Sequence, residues 1–141
     1  MRITLDTNQL VRALVRPPEL ATFVMAWEAR RFSLVCSPSL LEEYERVLAY
    51  PDIANLIYPE LLRAFRSHLV QDIEVVAAPE MVPICRDPDD DKVIAAAIYG
   101  AVDYLVTEDG DLKEDAVARA LKDAGITVIS MSDLIKLLDW A

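Results

Sequence analysis

At 141 residues, 54% hydrophobic and with a mean hydropathy of +0.24, the chain has the length for one domain with a real core and is too apolar to be disordered. A net charge of −10 weighs against a general nucleic-acid binder, because phosphate contact is driven by cations that release counterions. No uninterrupted apolar run reaches the roughly 20 residues that a membrane span needs, and Met1-Arg2 leads straight into a strand without a signal-peptide pattern. A single cytoplasmic domain over residues 1–141 is therefore expected.

The charge is unevenly placed. Residues 1–70 hold 8 acids and 8 Lys/Arg, whereas residues 71–141 hold 16 acids and 6 Lys/Arg. Such a chain handles a polyanion only where metal ions or local arginines reverse the field; a basic protein partner is the other outlet. Cys36 and Cys85 are far apart and form no C-x-x-C, which reads as free thiols in a reducing compartment. His68, the one histidine, lies in an amphipathic run and is not expected to activate either.

In chain order, Arg2 to Leu5 reads as a short strand that ends at Asp6-Thr7-Asn8. A short helix, Gln9 to Val15, is stopped by Pro17-Pro18. A second helical run, Leu20 to Arg30, carries Phe23, Val24 and Trp27 at helical spacing. Phe32 to Cys36 is a strand, and Ser37-Pro38 starts a helix that runs to about Tyr50, with Ser as N-cap and Pro first inside. Asp52 to Tyr58 reads as a connector, Pro59 to Val70 as a helix and Ile73 to Ala77 as the third strand. A loop with Pro79 and Pro83 leads to Arg86-Asp-Pro-Asp-Asp-Asp91. Val93 to Tyr99 is apolar on nearly every face, so that helix should be buried, with Gly100 ending it. Tyr104 to Thr107 is the fourth strand, followed by the turn Glu108-Asp-Gly-Asp111. A helix from Glu114 to Ala124 closes at Gly125, Ile126 to Ile129 is the fifth strand, and Met131 to Leu138 is a last helix capped by Ser130 or Ser132. Apolar strands alternating with helices imply an α/β fold, a parallel sheet covered on both faces with right-handed crossovers.

Parallel strands put their carboxyl ends on one edge, and the loops after them share it. Asp6, the Ser37 helix, the run Asp87 to Asp91, and Asp109 with Asp111 all follow strands. Carboxylates so gathered repel one another unless a cation neutralises them, and hard divalent ions prefer carboxylate oxygen. On the helix after Ser37 the apolar stripe is Leu40, Leu41, Tyr44, Val47 and Leu48. At about 100° per residue Glu42 points away from it and Glu43 lies at its edge, so Glu43 is better placed to reach the sheet. Capping and the macrodipole account for one or two of Asp87, Asp89, Asp90 and Asp91, with Asp90 the expected cap. Ordinary turn chemistry accounts for part of Thr107 to Asp111.

With these residues in view the chain resembles the PIN-domain family of metal-dependent ribonucleases, and most nearly its VapC-like branch, toxins of toxin–antitoxin pairs. The matching pieces are Leu5-Asp-Thr-Asn8, Ser37-Pro38 with Leu41-Glu-Glu-Tyr-Glu-Arg-Val-Leu48, Arg86 to Ala96, and Tyr104 to Leu112, in the family's order. The resemblance implies a three-layer α/β/α sandwich with five parallel strands in the order 3-2-1-4-5. It places catalytic acids at Asp6, Glu43, Asp91 and Asp109, with Glu42, Asp90 and Asp111 as alternates. Asp6, Asp91 and Asp109 would hold Mg²⁺ or Mn²⁺, which lowers the pKa of water for in-line attack on RNA, with Glu43 orienting the water or binding a second ion. Thr7, Asn8, Ser37 and Thr107 would support ligands or phosphate, and Arg12, Arg16, Arg30 and Arg31 are candidates for backbone phosphate contact. The resemblance also implies a homodimer and an antitoxin partner; Leu56, Ile57, Tyr58, Leu61, Leu62 and Phe65 are the suspects for an interface, with a core role the better account of such a cluster.

Other folds that gather Asp at strand ends fit less well. A receiver-type domain needs paired acids after the first strand and a Lys after the fifth, and a haloacid-type phosphatase needs D-x-D where Asn8 stands. A non-toxin nuclease of RNA processing and a catalytically silent PIN-like scaffold are the alternatives within the family.

Overall fold

The chain alternates short strands with helices, β1 (Arg2–Leu5), α1 (Thr7–Val15), α2 (Pro17–Glu28), β2 (Ser33–Cys36), α3 (Pro38–Leu48), α4 (Pro51–Ala54), α5 (Pro59–Asp72), β3 (Glu74–Val75), α6 (Pro88–Tyr99), β4 (Tyr104–Val106), α7 (Asp115–Asp123), β5 (Thr127–Ile129) and α8 (Met131–Asp139). This computed structural model describes residues 1–15, 17–78, 88–108 and 115–139, with side chains for all of these except 17–21, 88–90 and 115. The expected loop with Pro79, Pro83, Cys85, Arg86 and Asp87, the turn residues Asp109 and Asp111, and Arg16 lie outside the described residues.

The five strands form one parallel sheet in the order β3-β2-β1-β4-β5. Ile3 sits opposite both Leu34 and Tyr104, and Leu5 opposite Val106, so β1 is central. Steps away from β1 run one way to β2 and β3 and the other way to β4 and β5. Right-handed crossovers for opposite steps put the connecting helices on opposite faces, which makes the three layers. Ile3, Leu5, Leu34, Val35 and Leu105 are fully buried, as strands covered on both sides must be. The apolar helix α6 packs on β1 and β2, with Val93 to Ala97 all buried. Phe23 and Trp27 of α2, Phe32 before β2 and Phe65 of α5 make an aromatic cluster, with Phe23–Phe32 and Trp27–Phe65 centroids 5.2 and 5.1 Å apart. Among the described residues, no helix is long and apolar enough to cross a membrane.

Several boundaries differ from the sequence expectation for local reasons. The first helix begins at Thr7 rather than Gln9, because the Asp6 carbonyl accepts from Gln9 N at 2.9 Å and Leu10 N at 3.1 Å. The supposed connector at Asp52 contains the single turn α4, where the Tyr50 carbonyl accepts from Ile53 and Ala54 N. β3 has only two residues, being an edge strand with β2 as its one neighbour. α6 ends at Tyr99, just before Gly100 as expected, but not through a left-handed glycine. Ala101, not Gly100, takes the left-handed conformation (φ 49°), and Val102 N bonds back to Ala97 O and Ala101 N to Ile98 O in a Schellman turn. Gly100 is needed for space instead: a Cβ there would sit 2.6 Å from Val35 Cγ1 and 2.7 Å from Ala96 O. Gly125 (φ 76°) closes α7 as the sequence predicts, and Ser130 rather than Ser132 caps α8, its Oγ accepting from Asp133 N at 3.1 Å.

Of the six apolar suspects around α5, Ile57 and Phe65 belong to the core, and Leu61 and Leu62 pack half-buried against it. Leu56 and Tyr58 are exposed.

Candidate active site

The sheet order reverses between β1 and β4, and Asp6 stands at the carboxyl end of β1 beside that reversal. Open α/β sheets bind ligands at such a switch point. Asp6 N bonds to Val106 O at 3.0 Å, which extends the ladder one residue past β1 and fixes the backbone there. Its side chain is almost wholly enclosed at 7% exposure, and Oδ2 accepts a 3.1 Å hydrogen bond from Thr107 Oγ1. A carboxylate this buried requires donors or a cation to offset its desolvation.

Glu43 arrives from α3. Ser37 caps that helix, its Oγ accepting from Leu40 N at 3.1 Å, and Pro38 sits in the first turn. The helical period then buries Leu40, Tyr44 and Leu48, exposes Glu42 and Glu45, and leaves Glu43 at the boundary with only 13% of its side chain exposed. Thr7 Oγ1, in the first turn of α1, donates to Glu43 Oε2. The other oxygen, Oε1, faces Arg46 Nη2 at 3.8 Å and Lys92 Nζ at 3.9 Å.

Tyr44 completes the frame. It is fully buried, and its hydroxyl donates to the Leu5 carbonyl, one residue before Asp6. Burial, then the negative fields of Asp6 and Glu43, hold its phenol well above the ordinary range, so it stays a neutral donor. Next to it, burial and Glu45 push the Cys36 thiol up to about 12, which leaves it a packed apolar group rather than a nucleophile.

Thr107 is thus hydrogen-bonded to Asp6 and Thr7 to Glu43, two pairs tied together by the chain from Asp6 to Thr7, and Lys92 brings the start of α6 up to Glu43. Asp91 is half-buried next to Lys92. Asn8 and Glu42 face solvent, and Ser37 is committed to its cap. Asp90 has no described side chain, and Asp109 and Asp111 fall outside the described residues. Arg12 pairs with Glu108 across 2.8 Å, tying α1 to the chain leaving β4. His68 lies away from these groups, between Glu28 of α2 and Asp72 of α5 and against the Trp27 ring. Sequence reading missed Tyr44, Arg46 and Lys92. The signal for Lys92 was its place beside Asp91; for Tyr44 a polar tip in an otherwise apolar stripe.

Among the described residues, no three Asp, Glu, His or Cys side chains gather closely enough to hold an ion. The donors that do converge are carboxylates and hydroxyls without imidazole or thiolate, which is the chemistry hard divalent cations take. Mg²⁺ or Mn²⁺ therefore fits the donor type, with a buried carboxylate already oriented by Thr107. A family profile described as PIN domain matches residues 2–111, from β1 past β4. The chain belongs to the PIN-domain family, whose fold is a nuclease fold.

Proposed function

We propose that this protein is a divalent-metal-dependent endoribonuclease, and that it acts as the toxin of a toxin–antitoxin pair. The observation that carries the enzymatic reading is the buried Asp6 carboxylate at the switch point, held by Thr107, with Glu43 presented alongside it by Thr7 and Tyr44. Asp6, Asp91 and Asp109 are the residues assigned to hold the ion. A bound Mg²⁺ or Mn²⁺ supplies the Lewis acidity that makes hydroxide available near neutral pH and neutralises charge on the phosphate.

The chain's own groups do the positioning. Thr107 orients Asp6, and Tyr44 fixes α3 against the end of β1. Thr7 locks the Glu43 rotamer by taking one of its oxygens. His68 is committed to Glu28 and Asp72 and supplies no general base to a ribose hydroxyl at the site. Water is the nucleophile in this reading, so the products carry no 2′,3′-cyclic phosphate. End-group analysis of a labelled single-stranded RNA, cut with Mg²⁺ or Mn²⁺ present, tests this; a cyclic phosphate product contradicts it.

The toxin role rests on the motif resemblance through residues 5–8, 37–48, 86–96 and 104–112. Growth arrest on expression of the wild type, absent with Asp6→Asn and relieved by a small protein encoded beside it, is the expected result. A homodimer is part of the same proposal, with exposed Leu56 and Tyr58 as the apolar surface it would cover. Light scattering on the purified chain decides that.

A further inference from the structure

Two consecutive residues at the exit of β4 are tied to the chain around Asp6. Thr107 donates its hydroxyl to Asp6 Oδ2 at 3.1 Å in the interior, and Glu108 accepts from Arg12 Nη1 at 2.8 Å nearer the surface. Asp6 is in turn built into α1, since its carbonyl accepts from Gln9 N and Leu10 N. These contacts close a ring that runs from Asp6 along the helix to Arg12, across to Glu108, and back through the Thr107 hydroxyl. Helix side chains lean toward the helix N-terminus, so an arginine six residues after Asp6 reaches back to the level of the strand ends. On the sheet side, Thr107 N bonds to Ile129 O at 3.0 Å, the last ladder bond of β4 among the described residues. Glu108 lies just past it and is anchored by its side chain. Global stability is a weak reason for this pair, because 22% of the Arg12 side chain and 43% of the Glu108 side chain are exposed, and exposed ion pairs contribute little. Its geometry bears on local order instead: the Thr107 hydroxyl meets Asp6 only while the backbone at 107 and 108 stays in place.

Resting on the reading of Asp6 as a metal ligand, we infer that Arg12 is a positioning residue: through Glu108 it holds the exit of β4 so that Thr107 keeps Asp6 oriented for the ion. Arg12 itself touches neither the ion nor the substrate. Charge alone works in the opposite direction, since a guanidinium on this side of the site repels a cation. Removing Arg12 therefore separates the two effects by sign.

Three measurements on the full chain test it. In metal-free protein, amide hydrogen exchange followed by nuclear magnetic resonance should be about tenfold faster at Thr107 in Arg12→Met than in wild type, with Leu34 in β2 unchanged, as for a local opening. Mn²⁺ affinity, followed by electron paramagnetic resonance, should be about three- to tenfold weaker in Arg12→Met, a step below the effect of a group that contacts a metal ligand directly. Repulsion alone predicts tighter binding. The exchanged pair, Arg12→Glu with Glu108→Arg, keeps the net charge and should restore both readings. Excess Mn²⁺ should bring RNA cleavage by Arg12→Met to within about twofold of wild type, because the loss is in metal binding and not in the chemical step. Unchanged exchange at Thr107 overturns the inference, as does Mn²⁺ binding equal to or tighter than wild type. A cleavage defect that excess Mn²⁺ leaves in place also overturns it and assigns Arg12 to the RNA. A wild-type chain that neither binds Mn²⁺ nor cleaves contradicts the nuclease reading, whereas the exchange measurement then still decides whether Arg12 holds Thr107.

Discussion

The buried Tyr44 hydroxyl donates to the carbonyl of Leu5, the residue before Asp6. One hydrogen bond thereby fixes the helix that presents Glu43 to the strand that presents Asp6. Tyr44→Phe leaves the ring in place and strips a buried carbonyl of its donor. Thermal or denaturant unfolding should show a loss of about 1–2 kcal/mol. Ribonuclease activity should fall further than that loss accounts for, by about tenfold at a temperature where the variant is folded, because the spacing of the two acids is loosened.

Thr107 reaches Asp6 from the neighbouring strand and gives it a fixed orientation. Thr107→Val keeps the shape and removes the donor. Groups that orient a metal ligand typically govern about 10–100-fold in affinity. Mn²⁺ affinity should therefore drop by about that factor, with the circular dichroism spectrum unchanged. An affinity equal to wild type would show that Thr107 serves packing alone.

The end of α6 makes a prediction about stability only. Ala101 adopts φ 49° on the surface, where an L side chain is strained by roughly 1–2 kcal/mol. Ala101→Gly relieves that strain against a smaller entropic cost in the unfolded chain, for a net gain of about 0.5–1 kcal/mol. Gly100→Ala drives a Cβ into Val35 and into the Ala96 carbonyl and should cost about 1–3 kcal/mol. Urea unfolding of the two variants should move in opposite directions.

His68 should make stability pH-dependent from about pH 6.5 upward. Its pKa is raised above 6.5, chiefly by the hydrogen bond with Asp72, with Glu28 adding to it against some desolvation. A raised folded pKa means a contribution fully present below the unfolded value of 6.5 and lost as pH rises through the folded value. The melting temperature of wild type should therefore fall across that window relative to His68→Gln. Parallel curves for the two proteins would contradict the ion-pair assignment.

Much of this architecture is legible in the sequence, and the reason is topological. Short β-branched strands alternating with helices leave only a parallel sheet, and a parallel sheet sends every post-strand acid to one edge. Helical period alone turned Glu42 outward and Glu43 toward the sheet, as the structure has them. The period also buried Tyr44 but gave no hint that its hydroxyl reaches Leu5, because contacts between elements depend on packing that no local pattern encodes. Lys92 merely follows the acids Asp89 to Asp91 in sequence; only the approach of α6 to α3 brings it to Glu43. Gly100 looked like a helix stop because glycine favours left-handed backbone, whereas its neighbour Ala101 takes that conformation and Gly100 answers to crowding from β2.

The central claim is that Asp6 holds the ion on which RNA hydrolysis depends. The most direct measurement is the cleavage rate of single-stranded RNA by wild type and Asp6→Asn, each with Mg²⁺, Mn²⁺ or EDTA. Wild type should cleave with either metal and not in EDTA, and the folded variant should lose at least about a hundredfold, from removal of a metal ligand. Equal rates for the two proteins, or cleavage that survives EDTA, would contradict it.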